Sequence, residues 1–108
     1  MKKIISVNTK TKQIEHLHFS GKHDDVYDLV GKKVDKLICL VVKSPSGKLF
    51  CIFHDINQDM YRHKNYVVFG GTMIWGNMVV ASLTPDHLEF NNVTKEDFEE
   101  LKPLFEFD

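Results

Sequence analysis

Arginine is nearly absent from this chain of 108 residues: Arg62 stands alone among thirteen lysines. Arginine is the side chain that grips guanine and phosphate in two-pronged fashion, so its scarcity argues against sequence-specific DNA recognition. Long apolar stretches are missing as well. The longest, residues 37–42, is six residues, against the roughly 20 that a membrane-spanning helix requires. The basic start Met1-Lys2-Lys3 leads into Ile4-Ile5-Ser6-Val7, too short an apolar segment for a signal peptide, so a cytoplasmic protein with no membrane association is expected. Cysteine is limited to Cys39 and Cys51. Two cysteines alone cannot make a zinc site, and both lie in apolar, strand-like segments where a free thiol acts as a small hydrophobe. Two reduced core thiols are expected in that compartment; the alternative is a disulfide, because the pair flanks a hairpin.

The remaining composition, 43% hydrophobic and 27% charged, is that of a globular protein, which excludes a disordered tail or a fibrous repeat. The length suits one domain over residues 1–108. Charge is unevenly placed. Residues 1–54 carry ten lysines against five acids, and residues 55–108 four basic residues against ten acids. Eight of those acids fall in the last 23 residues, a bias that fits either a solvated helix face or an interaction surface.

Along the chain, Ile4-Ile5-Ser6-Val7 and Ile14-Glu15-His16-Leu17-His18-Phe19 read as neighbouring strands, the second at an edge because neither of its faces is purely apolar. Val26, Leu29 and Val30 have helical spacing behind the acids Asp24 and Asp25, and Gly31 suits a left-handed cap. The segments 36–43 and 49–53 form a hairpin through the turn residues Ser44-Pro45-Ser46-Gly47. The first of them is apolar on both faces and is expected at the centre of the sheet. Strand character resumes on either side of Gly70-Gly71 and again at Met78-Val79-Val80-Ala81-Ser82-Leu83. Thr94-Lys95-Glu96-Asp97 matches a capping box, with Phe98, Leu101 and Phe105 continuing an apolar stripe and Pro103 ending the helix near Lys102. These elements predict an α+β fold: a single small domain with one antiparallel-rich sheet of five to six strands, a short helix after strand 2 and a C-terminal helix.

Candidate chemistry is sparse. His16 and His18 share a strand face, and His23-Asp24-Asp25 follows; such a set could hold a transition metal, but no second spaced pair completes it, and no cofactor is expected. His54-Asp55 has neither the helices nor the chain length that a metal-dependent phosphohydrolase needs. Gly70-Gly71 lies between strands, where a backbone turn explains it better than a phosphate cradle. No nucleophile, base and oxyanion donor assemble, so no enzyme is expected. The segment 53–66 mixes aromatic, amide, basic and acidic side chains beside a strand end, in the manner of a functional loop.

The layout resembles a family of small domains of unknown function encoded by bacterial phages, prophages and plasmids. The likeness rests on Asp28-Leu29-Val30-Gly31-Lys32-Lys33-Val34-Asp35, on the hairpin and the segment 54–65, on Ile74-Trp75-Gly76-Asn77-Met78-Val79-Val80, and on Val93-Thr94-Lys95-Glu96-Asp97. Lys32 stands where the family has a second glycine, and His54-Asp55 where it has an acid. The family supplies no catalytic residues to carry over. The resemblance implies a mobile-element accessory protein acting on something in the bacterial host.

Two functions follow from the residues. One is a non-enzymatic, host-interaction or anti-defence protein that contacts a host protein through Glu96, Asp97, Glu99 and Glu100, the acidic face continuing to Glu106 and Asp108. Self-association into a homodimer through the edge strand bearing Lys10, Lys12 and Glu15 would accompany it. The other is a small-molecule binder, for instance of a nucleotide signal, in which His54, Arg62, His63, Lys64, Tyr66 and Trp75 offer charge and stacking surfaces.

Overall fold

A computed structural model describes residues 2–19, 30, 36–55, 65–84 and 90–107. The first hairpin joins β1 (Lys2–Asn8) to β2 (Gln13–Phe19). Its turn is set by Asn8, whose Oδ1 accepts from the amides of Lys10 and Thr11, both at 3.1 Å, the side-chain mimicry of a turn for which asparagine is favoured. The second hairpin joins β3 (Leu37–Lys43) to β4 (Leu49–Asp55) through Ser44-Pro45-Ser46-Gly47, closed by Ser44 N–H to the Lys48 carbonyl at 2.8 Å. The third joins β5 (Tyr66–Phe69) to β6 (Thr72–Trp75). Gly70 and Gly71 form its two-residue turn with φ of 56° and 84°, the left-handed pair that a tight hairpin demands.

After β7 (Met78–Leu83) and the short β8 (Phe90–Asn91) comes α1 (Lys95–Leu101). Thr94 caps α1 as its sequence predicts: its hydroxyl accepts from Asp97 N–H and the Asp97 carboxylate accepts from Thr94 N–H, each at 3.1 Å. Pro103 lies in a 3₁₀ turn (Lys102–Leu104), and the chain re-enters a strand as β9 (Phe105–Phe107). No helix among the described residues is long and apolar enough to cross a membrane.

The strands form two antiparallel sheets. The larger has the order β2-β1-β7-β4-β3, with β8 pairing the end of β7; the smaller has the order β6-β5-β9. The main core lies between them, where Ile5, Phe50, Ile52, Met78 and Val80 of the larger sheet meet Val67, Phe69, Ile74 and Phe105 of the smaller, with Leu101 of α1 completing it. Each such large side chain, fully buried, contributes roughly 1.5–3 kcal/mol through the hydrophobic effect. The opposite face of the larger sheet is covered in part by Val30, which is helical and clusters with Ile4, Val79 and Ala81.

Several expectations change. The single sheet becomes two, because the chain after Pro103 turns back and pairs Phe105–Phe107 with β5; Phe105 therefore belongs to a strand and not to the helical stripe. The short helix over residues 23–31 lies outside the described residues apart from Val30. The strand expected at the centre, β3, is an end strand. Its inner side chains Leu40 and Val42 pack on the main core and Leu37 on the second cluster, which makes both faces apolar without a neighbour beyond. The centre is β7, five of whose six residues are buried. The cysteines are not reduced: Cys39 and Cys51 form a disulfide. The register sets Val41 opposite Cys51 and Cys39 opposite Phe53, so the two cysteines are diagonal neighbours on one face, with Cα atoms 5.8 Å apart, inside the range a disulfide spans. The thiols no longer argue for a cytoplasmic address.

Candidate functional site

The capping box that starts α1 also decides what its acids do. Asp97 is buried, and its Oδ1 accepts from Lys48 Nζ at 3.0 Å while Lys48 itself remains 57% exposed. Burial pushes the Asp97 carboxyl up, but the Thr94 amide, Lys48 and the Thr94 hydroxyl outweigh it and hold the group below the usual carboxylate range. Glu100 accepts from Ser46 N–H at 3.0 Å. That amide, with the hydroxyls of Ser44 and Ser46, lowers the Glu100 carboxyl also. Two of the four acids expected to form a docking face thus fasten α1 to the β3–β4 turn, and the exposed pair is Glu96 and Glu99.

On its other side α1 leans on β2. The His16 ring stacks on Phe98, with centroids 5.2 Å apart and planes within 10°. Its Nε2–H donates to the Val93 carbonyl at 2.6 Å, which fixes the tautomer, since a carbonyl oxygen only accepts. Lys102 Nζ lies over the Phe98 ring, 5.5 Å from its centroid, within reach of a cation–π contact. Beside this stack opens a groove of about 970 Å³. Ile14, Pro103, Phe105 and Phe107 supply its apolar lining, and Lys12, Glu15, Glu99 and Lys102 supply charge of both signs. It lies between β2, an end strand of the larger sheet, and β9, an end strand of the smaller.

The residues expected to bind a small ligand are divided. Tyr66 and Trp75 are register partners in the β5–β6 hairpin, with ring centroids 5.9 Å apart at 53°. Val67, Phe69 and Ile74 of the same strands are buried in the main core, so strand alternation turns Tyr66, Val68, Met73 and Trp75 to the opposite face. His54 is carried by β4 of the other sheet, buried, with Nδ1 3.1 Å from the Asp55 carbonyl oxygen. Burial lowers its pKa, against the opposing pull of the Asp55 carbonyl and charge. A neutral ring with Nδ1–H donating to Asp55 satisfies this arrangement. Arg62, His63 and Lys64 lie outside the described residues, as do His23 and Asp108. His18 is exposed on β2. Among the described residues no cluster of three His, Cys, Asp or Glu side chains is placed to hold a metal ion.

The groove is the part of the surface that sequence reasoning missed. Its signal was present in Pro103 followed by Phe105 and Phe107, an alternation that reads as a strand once the helix has ended. Comparison with protein families, with curated proteins and with solved structures returns no match for this chain.

Proposed function

We propose that the protein is a non-enzymatic binding protein that holds an extended segment of a partner protein in the groove between β2, α1 and β9. Its place as a phage or plasmid host-interaction or anti-defence factor, working in the bacterial cytoplasm, belongs to the same proposal and comes from the resemblance. The observation that carries the reading is the groove itself: an apolar lining between two end strands, with two lysines and two glutamates on its walls. An added strand gains main-chain hydrogen bonds from a sheet end and specificity from the side chains that alternate along it. Binding is favoured over catalysis because the polar groups that meet around α1 are engaged in holding the fold, as in Lys48–Asp97, Glu100–Ser46 and His16–Val93.

Glu99 is the residue shared by the acidic face and the groove, so it is the first to change. The doubly reversed variant Glu15→Lys/Glu99→Lys is expected to lose a partner captured from bacterial lysate while its circular dichroism is unchanged. Glu96→Lys, exposed but away from the groove, is expected to keep it. Equal capture by all three proteins would sink the groove assignment. The small-molecule alternative is supported by the Tyr66–Trp75 ring pair. Trp75 is the sole tryptophan, and under the binding-protein reading its fluorescence stays unchanged on titration with nucleotides.

A further inference from the structure

The two ends of the larger sheet differ in how they meet solvent. Across residues 37–42 β3 has no charge, no proline and no glycine, whereas natural end strands are normally blunted by lysine, proline or a bulge. Ile38 and Val41 are 42% and 45% exposed. They project to opposite faces of the strand, so each face of β3 keeps an apolar side chain open beside those that are packed. With Met73 they are the large apolar residues left exposed among the described ones. The β3–β4 register runs unbroken over seven pairs, with no bulge to twist the strand away. The Cys39–Cys51 bond fastens it in that extended form. Among the described residues no strand pairs with the outer side of β3.

We propose that β3 pairs with β3 of a second copy, so that the larger sheets of two molecules become one continuous antiparallel sheet. A two-fold contact uses the same patch twice and must be self-complementary. A two-fold axis normal to the sheet at Leu40 sets Ile38 against Val42 of the second copy, Cys39 against Val41, and Leu40 against its own mate. Apolar meets apolar at each of these positions, and Lys43 falls opposite Leu37, so no like charges meet directly. The other end strand carries charge or imidazole about its middle. A two-fold centred on β2 at Glu15 opposes two glutamates, and one centred at His16 opposes two imidazoles. The uncharged outer side of β3 likewise gives an acidic or basic partner nothing to select it by, which favours a second copy over a charged segment.

Seven residues span roughly 23 Å at the rise of a strand. A strip of that length and about 10 Å deep, the spacing of packed sheets, covers about 230 Å², less than the roughly 800 Å² per partner of a standard interface, so the dimer dissociates on dilution. Sedimentation equilibrium from about 10 µM to about 1 mM is expected to show a monomer–dimer equilibrium. Hydrogen exchange in the β3 amides should slow as the dimer fills. Ile38→Lys and Val41→Lys, each on an already exposed position, are expected to leave a monomer at every concentration with an unchanged circular dichroism spectrum. Glu15→Lys on β2 is expected to leave the equilibrium as it was. A wild-type protein that stays monomeric throughout overturns the proposal. So does a dimer that survives both β3 substitutions and dissociates with the β2 variant. Should a lysine variant unfold, Ile38→Thr and Val41→Thr, which retain β-branching, give the same reading.

Discussion

At one end of the larger sheet β2 carries Glu15, His16 and His18 and is overlaid by α1, whose Phe98 stacks on His16. At the other end β3 carries no charge across residues 37–42 and is fastened to β4 by the Cys39–Cys51 bond. One end is held by packing and a histidine–carbonyl hydrogen bond, the other by a covalent link. A two-fold at the middle of β2 opposes two imidazoles, whereas one at the middle of β3 opposes apolar side chains. The difference teaches that the two surfaces proposed above, the groove and the outer side of β3, can be disabled separately.

The largest effect is expected at the packed end. Leu101 anchors α1 and is fully buried, so Leu101→Ala should cost about 2–5 kcal/mol in denaturant unfolding. Hydrogen exchange should quicken in β2 more than in β3; equal loss at both ends would break the contrast. Next comes the covalent end. The bond closes a loop across a sequence separation of 12, a constraint worth on the order of 3 kcal/mol. The pair Cys39→Ser/Cys51→Ser should therefore melt on the order of 10 °C lower, with faster exchange in β3 and little change in β2.

The smallest effect is a dependence on pH, in two steps, on the side of the β3–β4 hairpin. His54 is the register partner of Ile38 on β3, and its pKa is lowered chiefly by burial. The unfolded chain thus takes up that proton more readily than the folded one. Stability from this source is complete above about pH 6.5 and is lost as pH falls below it. Asp97 and Glu100, which tie α1 to the β3–β4 turn, are lowered carboxyls, so their contribution is present above about pH 4 and is lost only below it. Melting temperatures from pH 7.5 to 5.5 should decline in the wild type and hold level in His54→Gln. An equal decline in both would remove His54 from the account.

What could be read from sequence was local. Asn8, Ser44-Pro45-Ser46-Gly47 and Gly70-Gly71 carry turn chemistry in their own side chains or φ angles, and the Thr94 capping box closes over three residues. What could not be read depends on partners far along the chain. The polarity of β3 is the same whether it lies at the centre or the end of a sheet, and only the placement of β7 between β1 and β4 decides. Asp97 and Glu100 look like surface acids until Lys48 and Ser46, 49 and 54 residues away, come to meet them. The disulfide was open as an alternative because its hairpin was visible, but the diagonal that joins Cys39 to Cys51 is a matter of register. Of the acidic face, Glu99 is the part that reaches the groove.

The position of β7 governs the order in which the molecule can be made. β1 and β4 touch neither each other nor a common neighbour until β7 arrives between them. During synthesis the hairpins β1–β2 and β3–β4 therefore emerge as separate units, each too small to bury its apolar side chains alone. Through that interval the uncharged residues 37–42 are exposed on a nascent chain, the circumstance in which strand ends aggregate. Arrival of β7 covers the inner side of β4 and not the outer side of β3, so that edge stays open in the folded chain and its hazard outlasts synthesis.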